Sequence, residues 1–438
     1  MALNNTLVSY RNVTKPFPDV QTLLGKTREA AGKVIPNASQ ADARVSQVAV
    51  GLAAMQREQG KFPRVMHTPR DPTASLLQSH IAANAVRENK VESFVMKGIA
   101  HVLEAFDVKF SSSDWLGWML SFFTWIEDID PAVFLTAPEE PAAIPNNFNM
   151  AVIGDWGTGL YGAPFCSQSI QNDPDGYDLL LHLGDIYYSG LPDEVTDRFL
   201  DLWPKVPKAI NRSLNGNHEM YTGGHAYFEE LLPKFGQTSS YFAFQNDFWI
   251  LAALDSAYSQ PFGGQEGNLN QQQVDWLNRI VANSGDRKLV LFSHHQPFSL
   301  LDSSQGPLLV QWLQPLLAAG KIFAWYWGHE HRCVLYDPHP AFRLRGRCVG
   351  HGGFPQERID LSNATTSPDL GSQWKILPGT QDHKVPGGKV LDTANLYIPG
   401  FEEQFSPHGF MRLEFRGARL NELVRAPGND NIYSRDLT

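Results

Sequence analysis

Five times along this chain a short strand-like run, apolar in all but the third, stops at a small or polar residue and is followed at once by residues with metal-binding side chains. Residues 150–153 lead into Gly154-Asp155-Trp156-Gly157, and residues 179–183 into Gly184-Asp185-Ile186-Tyr187-Tyr188. Residues 210–214 lead into Asn215-Gly216-Asn217-His218-Glu219, residues 289–292 into Ser293-His294-His295-Gln296-Pro297, and residues 322–327 into Gly328-His329-Glu330-His331. Apolar runs of this length read as buried strands, so the pattern predicts an α/β sheet fold with its chemistry at the strand ends. Asp, Asp, Asn, His and His then converge at one rim. Carboxylates combined with imidazoles suit iron, zinc, manganese or copper better than calcium, which takes oxygen ligands only. The donors are too many for one ion, so two are expected.

The ordered set GDWG, GDIYY, GNHE, HHQP and GHEH resembles the calcineurin-like metallophosphoesterases and, among them, the purple acid phosphatases. The general superfamily begins with Asp-x-His; here Gly157 takes the His position and Tyr188 follows Asp185 by three residues, an exchange that marks the purple acid phosphatases. The resemblance spans residues 150–353, with weaker similarity beyond. It implies a four-layer αββα sandwich, two packed sheets with helices on both outer faces, preceded here by an additional N-terminal helical region. It also implies a dinuclear centre bridged by Asp185. Asp155, Tyr188 and His331 complete one metal's protein ligands, and Asn217, His295 and His329 the other's. A phenolate with two carboxylates favours Fe(III); two imidazoles with an amide suit Zn, Mn or Fe(II), and Cu also fits there.

Several positions carry alternatives. Tyr187 is the other candidate for the tyrosine role, although the Asp-x-x-Tyr spacing selects Tyr188. Adjacent residues at a strand tip point to opposite sides, so only one of His294 and His295 can face the metals. The family's His-x-Pro pattern selects His295, leaving His294 to touch substrate or support a ligand. His218 is the candidate proton donor to the leaving group and otherwise a support for its neighbour Asn217. His225 and His351 stand in Gly-rich turns, placed either to approach substrate or to orient a ligand. His182, inside a strand, reads as a core histidine.

The activity implied is hydrolysis of phosphate monoesters through attack by a metal-bridging hydroxide, with Asp185 and His218 as the catalytic side chains. A phosphodiesterase, for cyclic nucleotides for example, would use the same cage. A non-catalytic interaction protein is a third reading, and the intact ligand set argues against it. The expected partner is a phosphorylated small molecule. A net charge of -10 leaves no basic excess for nucleic acid, and bound cations would supply the local positive field for a phosphate.

The organisation expected is an N-terminal helical region and linker over residues 1–145 and a catalytic domain over 146–438. Within the latter, 356–403 reads as a long Gly/Pro/Asp/Ser-rich loop and 404–438 as closing strands. In the N-terminal region Val45, Val48, Ala49 and Leu52 recur at helical spacing and Asp71-Pro72 opens a further helix. The aromatic stretch at residues 115–126 is too short to span a bilayer, so no transmembrane segment is expected. Three cysteines make no disulfide framework, and the first residues show no basic-then-apolar leader. Unless a leader has been removed, these features point to the cytoplasm. Nothing in the sequence addresses the oligomeric state.

Overall fold

Alternation of side chains across strands that are apolar on both faces decides the layering of this protein. The computed structural model describes residues 24–25, 27–29, 31–32, 37–61 and 130–438, except 160, 188, 261–264, 303–304 and 399–401. In chain order the strands that frame the site are β1 (Ala142–Ala143), β2 (Asn147–Ile153), β3 (Leu179–His182), β4 (Ile210–Ser213), β5 (Phe242–Gln245), β6 (Trp249–Leu254), β7 (Lys288–Ser293) and β8 (Ile322–Trp327). They are followed by β9 (Cys333–Tyr336), β10 (Arg345–Val349), β11 (Thr365–Ser367), β12 (Gly371–Leu377), β13 (Gly388–Leu391), β14 (Phe410–Arg416), β15 (Arg419–Arg425) and β16 (Asn431–Asp436). One sheet has the order β1-β5-β6-β7-β8-β10-β9-β13-β12-β11 and the other β16-β15-β14-β2-β3-β4.

In β2, Phe148, Met150 and Val152 face one core while Ala151 and Ile153 face another. In β6, Trp249, Leu251 and Ala253 join the same first core, and Ile250, Ala252 and Leu254 turn to a third. The shared core therefore lies between the two sheets, as a period of two residues requires. The outer face of the ten-stranded sheet is covered by helices. Asn270 caps one of them through its Oδ1, which accepts the Gln273 N–H at 3.0 Å. That helix, Gln271–Ala282, buries Val274, Leu277 and Ile280 on its inner face; the next, Pro307–Ala318, buries Leu309, Leu313 and Leu317. On the six-stranded sheet the cover is the helix Ala163–Gln171 and two π-helical segments, Glu194–Leu200 and Tyr227–Leu231. The four layers are those of the expected sandwich.

The sheets are also tied by a buried ion pair. Glu422 on β15 accepts from Arg347 on β10, with the shortest N–O distance 2.7 Å, and from the hydroxyls of Tyr326 (3.0 Å) and Tyr433 (2.9 Å). Satisfying every oxygen in this way makes a buried charge tolerable.

The stretch 356–403 is not one long loop. It carries β11, β12 and β13, which extend the ten-stranded sheet through antiparallel pairing with β9. Trp374, fully buried at the centre of β12, donates its indole N–H to the Ile432 carbonyl at 3.1 Å. The turn residues around these short strands dominate the composition and conceal them. β14, by contrast, lies where residues 410–415 suggest a strand, antiparallel to β2. In the N-terminal region the helix Ala38–Lys61 is described, with Val45 and Val48 buried and the Asn37 side chain accepting the Ser39 N–H at 2.9 Å. Asp71-Pro72 and the aromatic stretch at 115–126 lie outside the described residues. Among the described residues no helix is long and apolar enough to cross a membrane.

Candidate metal centre

β2, β3 and β4 run parallel in one sheet, and β6, β7 and β8 run parallel in the other. The carboxyl ends of β2, β3, β4, β7 and β8 open onto one crevice, where the five motifs turn. Backbone bonds lock the turns together: Asp155 N–H to the Gly184 carbonyl (3.1 Å), Gly157 N–H to Asp185 (3.2 Å), Gly328 N–H to His294 (2.9 Å) and Gly353 N–H to Asp155 (3.0 Å). Two glycines are needed for this closeness. A Cβ on Gly184, whose φ is 102°, would lie 2.8 Å from the Gly216 nitrogen, and one on Gly328 would lie 2.6 Å from Asp155 Oδ2.

Asp155, Asp185, His329 and His331 all hold left-handed backbone, with φ of 55°, 75°, 68° and 53°. Non-glycine residues pay about 1–2 kcal/mol each for that conformation. Its concentration in four residues of one crevice points to a site where side-chain direction outweighs local stability.

The Asp185 carboxylate faces two groups of ligand types. Its Oδ1 lies 3.3 Å from His294 Nε2, which in turn is 2.9 Å from Asn217 Oδ1 and 3.2 Å from His329 Nδ1. Its Oδ2 accepts the Tyr187 hydroxyl at 3.0 Å, and that hydroxyl is 2.7 Å from His331 Nε2. His331 Nε2 is also 3.4 Å from Asp155 Oδ1. Both Asp155 oxygens accept the His329 backbone N–H, at 3.0 and 2.9 Å.

His294 Nδ1 hydrogen-bonds the Leu183 carbonyl at 2.9 Å, so that nitrogen carries the proton and Nε2 presents a lone pair. Asn217 donates its amide NH2 to the Tyr221 hydroxyl at 2.7 Å, which turns Oδ1 inward. A lone pair, an amide oxygen and a carboxylate oxygen thus point at one another. Acceptors gathered with few donors, the His218 backbone N–H to Asp185 Oδ1 among them, are stabilised by a cation, and this nitrogen and oxygen set fits a transition metal. Burial acts in the same direction. It raises the Asp155 carboxyl well above its ordinary range, with Asp185 adding to the effect, and drives the His294 imidazolium down to about 3. A cation among these groups would reverse that logic for the carboxylates.

His295 differs from its neighbour. Its ring lies close to His329, at 4.6 Å between centroids, and the two belong to one group of potential ligands with His294. Yet its Nδ1 is 2.9 Å from Ser256 Oγ and its Nε2 accepts from the Gln260 amide at 3.0 Å, so protein groups occupy both nitrogens. The ring reaching Asp185 and Asn217 is that of His294, whereas the His-x-Pro pattern selects His295. Tyr188 lies outside the described residues, and the hydroxyl seen between Asp185 and His331 belongs to Tyr187.

His218 donates its backbone N–H to Asp185 Oδ1 at 3.2 Å, and its ring lies between those of Tyr187 (3.7 Å) and Tyr221 (4.7 Å). His225 does not join the cluster. It sits half-exposed with Nδ1 2.9 Å from Glu229 Oε1 and Nε2 2.7 Å from the Asp130 carbonyl. The His351 ring is buried beside Gly409 with no hydrogen bond at either nitrogen among the described residues; only its backbone neighbours reach the crevice. His182 is a buried neutral imidazole bonded to Ser213 Oγ at 3.0 Å, and burial lowers its pKa.

Two supports escape the sequence reading. Glu219 accepts the N–H groups of Asp185 (3.2 Å), Ile186 (3.1 Å) and Gly216 (3.0 Å), joining the GNHE turn to the GDIYY turn. Its place three residues after Gly216, at the start of the short helix Asn217–Met220, is the signal that was available, since an acid there caps free N–H groups. Gln356, whose Oε1 lies 3.2 Å from His331 Nδ1, comes from the distant 356–403 stretch and has no such signal.

Comparison with known proteins agrees with this geometry. Residues 148–333 match the calcineurin-like phosphoesterase family. Human (Homo sapiens) tartrate-resistant acid phosphatase type 5 is 26% identical over 216 residues, 41% of this chain and 65% of that protein, so the chain spans just under two thirds of this relative's length. A glycerophosphodiester phosphodiesterase of Enterobacter lignolyticus is 25% identical over 167 residues, covering 36% of this chain and 57% of that one. Among solved structures, a purple acid phosphatase from yellow lupin (Lupinus luteus) seeds gives a TM-score of 0.46 at 14% identity, over 68% of this chain and 54% of its own. Residues 148–333 are thus similar to the calcineurin-like phosphoesterases, and the acid phosphatase likeness covers a comparable share of the chain.

Proposed function

We propose that this protein is a dinuclear metal-dependent phosphatase acting on phosphate monoesters of small molecules. The observation that carries this reading is the two-sided environment of Asp185, one oxygen toward His294, Asn217 and His329 and the other toward Tyr187, His331 and Asp155. Asp185 would be shared by the two ions, and its negative charge would offset their mutual repulsion. His294, Asn217 and His329 would hold the divalent ion, Zn, Mn or Fe(II), with Cu also compatible. Asp155, His331 and a tyrosine of the Tyr187-Tyr188 pair would hold the other, Fe(III) if the phenolate is a ligand. When bound, such ions lower the pKa of water to near neutrality and stabilise the charge of a transferring phosphoryl group.

The remaining work falls to the chain. Tyr221 orients the Asn217 amide, Leu183 fixes the His294 tautomer, and Glu219 holds the turn that carries Asp185. His218, set between two aromatic rings, is assigned to protonate the leaving alkoxide. A diesterase reading rests on the likeness to a glycerophosphodiester phosphodiesterase. The test is hydrolysis by protein of measured metal content across monoesters, diesters and pyrophosphates. Monoesters should be turned over fastest. Faster turnover of bis-p-nitrophenyl phosphate than of p-nitrophenyl phosphate would replace this reading with the diesterase one.

A further inference from the structure

A cavity of about 350 Å³ lies among β9, β10, β13 and β16, lined in part by Arg345, Arg347, Lys389, Arg435 and Asp436. Arg345 begins β10 and pairs with Ala324, while Cys348 pairs with Trp327 next to the metal-binding turn. From Arg345 to the Gly350 turn is therefore about 17 Å at roughly 3.3 Å per residue, so the cavity lies toward the opposite end of the sheets from the crevice.

Most of the charges around it are directly paired, and two arginines are not. Arg347 is neutralised by Glu422, Lys389 is 3.7 Å from Asp337, and Asp436 is paired with Arg419 at 2.9 Å. Asp369, which also lines the cavity, is held by the Ser367 hydroxyl at 2.7 Å. The side chains of Arg345 and Arg435 make no hydrogen bond or ion pair among the described residues. Arg345 rests on the Phe323 ring at 4.4 Å, and on the same ring lies Lys288, at 4.9 Å. Burial and the neighbouring Arg347 lower the Arg345 pKa, and burial and Arg345 lower that of Lys288, as expected of like charges crowded together. Arg345, half-buried, and Arg435, exposed, thus line the cavity as cations that an anion would complete. Planar guanidinium forks match the oxygens of phosphate, and the volume suits a small ligand.

We propose that this cavity is a second, non-catalytic binding site for a small phosphate-bearing anion, with Arg345 and Arg435 as its principal contacts. It does not depend on the reaction proposed for the metal centre. The ligand is either inorganic phosphate or the phosphoryl group of a small metabolite, and titration with inorganic phosphate and with methylphosphonate, at constant ionic strength, separates the two. Calorimetric titration of the metal-loaded full-length protein should show a phosphate-binding event that weakens at least tenfold in Arg345→Gln/Arg435→Gln, with turnover of p-nitrophenyl phosphate retained. Arg435→Gln alone, at an exposed position, guards against a folding defect and should weaken the same event several-fold. Unchanged phosphate affinity and stoichiometry in both variants would overturn the proposal, whether or not the protein hydrolyses phosphate esters.

Discussion

At the scale of single residues, hydrogen bonding separates side chains that look alike in sequence. His294 has one free lone pair directed at Asp185 and Asn217, whereas both nitrogens of His295 are engaged by Ser256 and Gln260. His294→Ala should therefore lose one of two metal equivalents, while His295→Ala keeps both and loses only part of kcat/KM. Elemental analysis of the two variants checks this, and the reverse result would restore His295 as the ligand. Asp185→Asn removes the charge that allows two cations to lie together, so it should cost at least one metal and nearly all hydrolysis. His218 is tested by leaving group. An alkoxide needs a proton and a nitrophenolate does not, so His218→Ala should slow alkyl phosphates far more than p-nitrophenyl phosphate at unchanged metal content. Equal losses on both substrates would show that His218 only positions its neighbours.

Among elements, the strands deliver ligands to one rim but the turns after them do not hold themselves. Asp185 and Ile186 lie in a turn with left-handed backbone at Asp185, and Glu219 from the next motif accepts both of their N–H groups. Glu219→Ala would leave three buried N–H donors without their partner, at about 1–3 kcal/mol each where water cannot replace it. We expect a drop of at least about 3 kcal/mol in urea denaturation together with weaker metal retention. A variant as stable and as metal-loaded as the parent would show that Glu219 is dispensable. The same dependence on neighbouring elements explains the 356–403 stretch, whose β11–β13 strands are short and gain order by pairing onto β9 rather than from their own pattern.

For the whole molecule, both sheets contribute candidate ligands to one crevice, so metal binding should strengthen the contact between the sheets as well as enable chemistry. Asp155, Asp185 and Asn217 follow strands of the six-stranded sheet, and His294, His329 and His331 follow strands of the ten-stranded sheet. Chelation should lower the Tm of the catalytic region, and metal at a thousand times its Kd should restore about 4 kcal/mol. Calorimetry with and without chelator at matched ionic strength decides this; an unchanged Tm would mean that the ions do not tie the sheets. The strand-tip pattern by itself determined the α/β class and pointed to a candidate metal-binding rim and most of its candidate donors, because buried strands and ligand-type side chains are local features of sequence. Tertiary structure decided which of two adjacent histidines faces Asp185, that Glu219 and Gln356 support the ligands, and that His225 stays outside. Those outcomes depend on hydrogen-bond partners brought from other strands and loops, and a lone pair's direction is set by what occupies the opposite nitrogen.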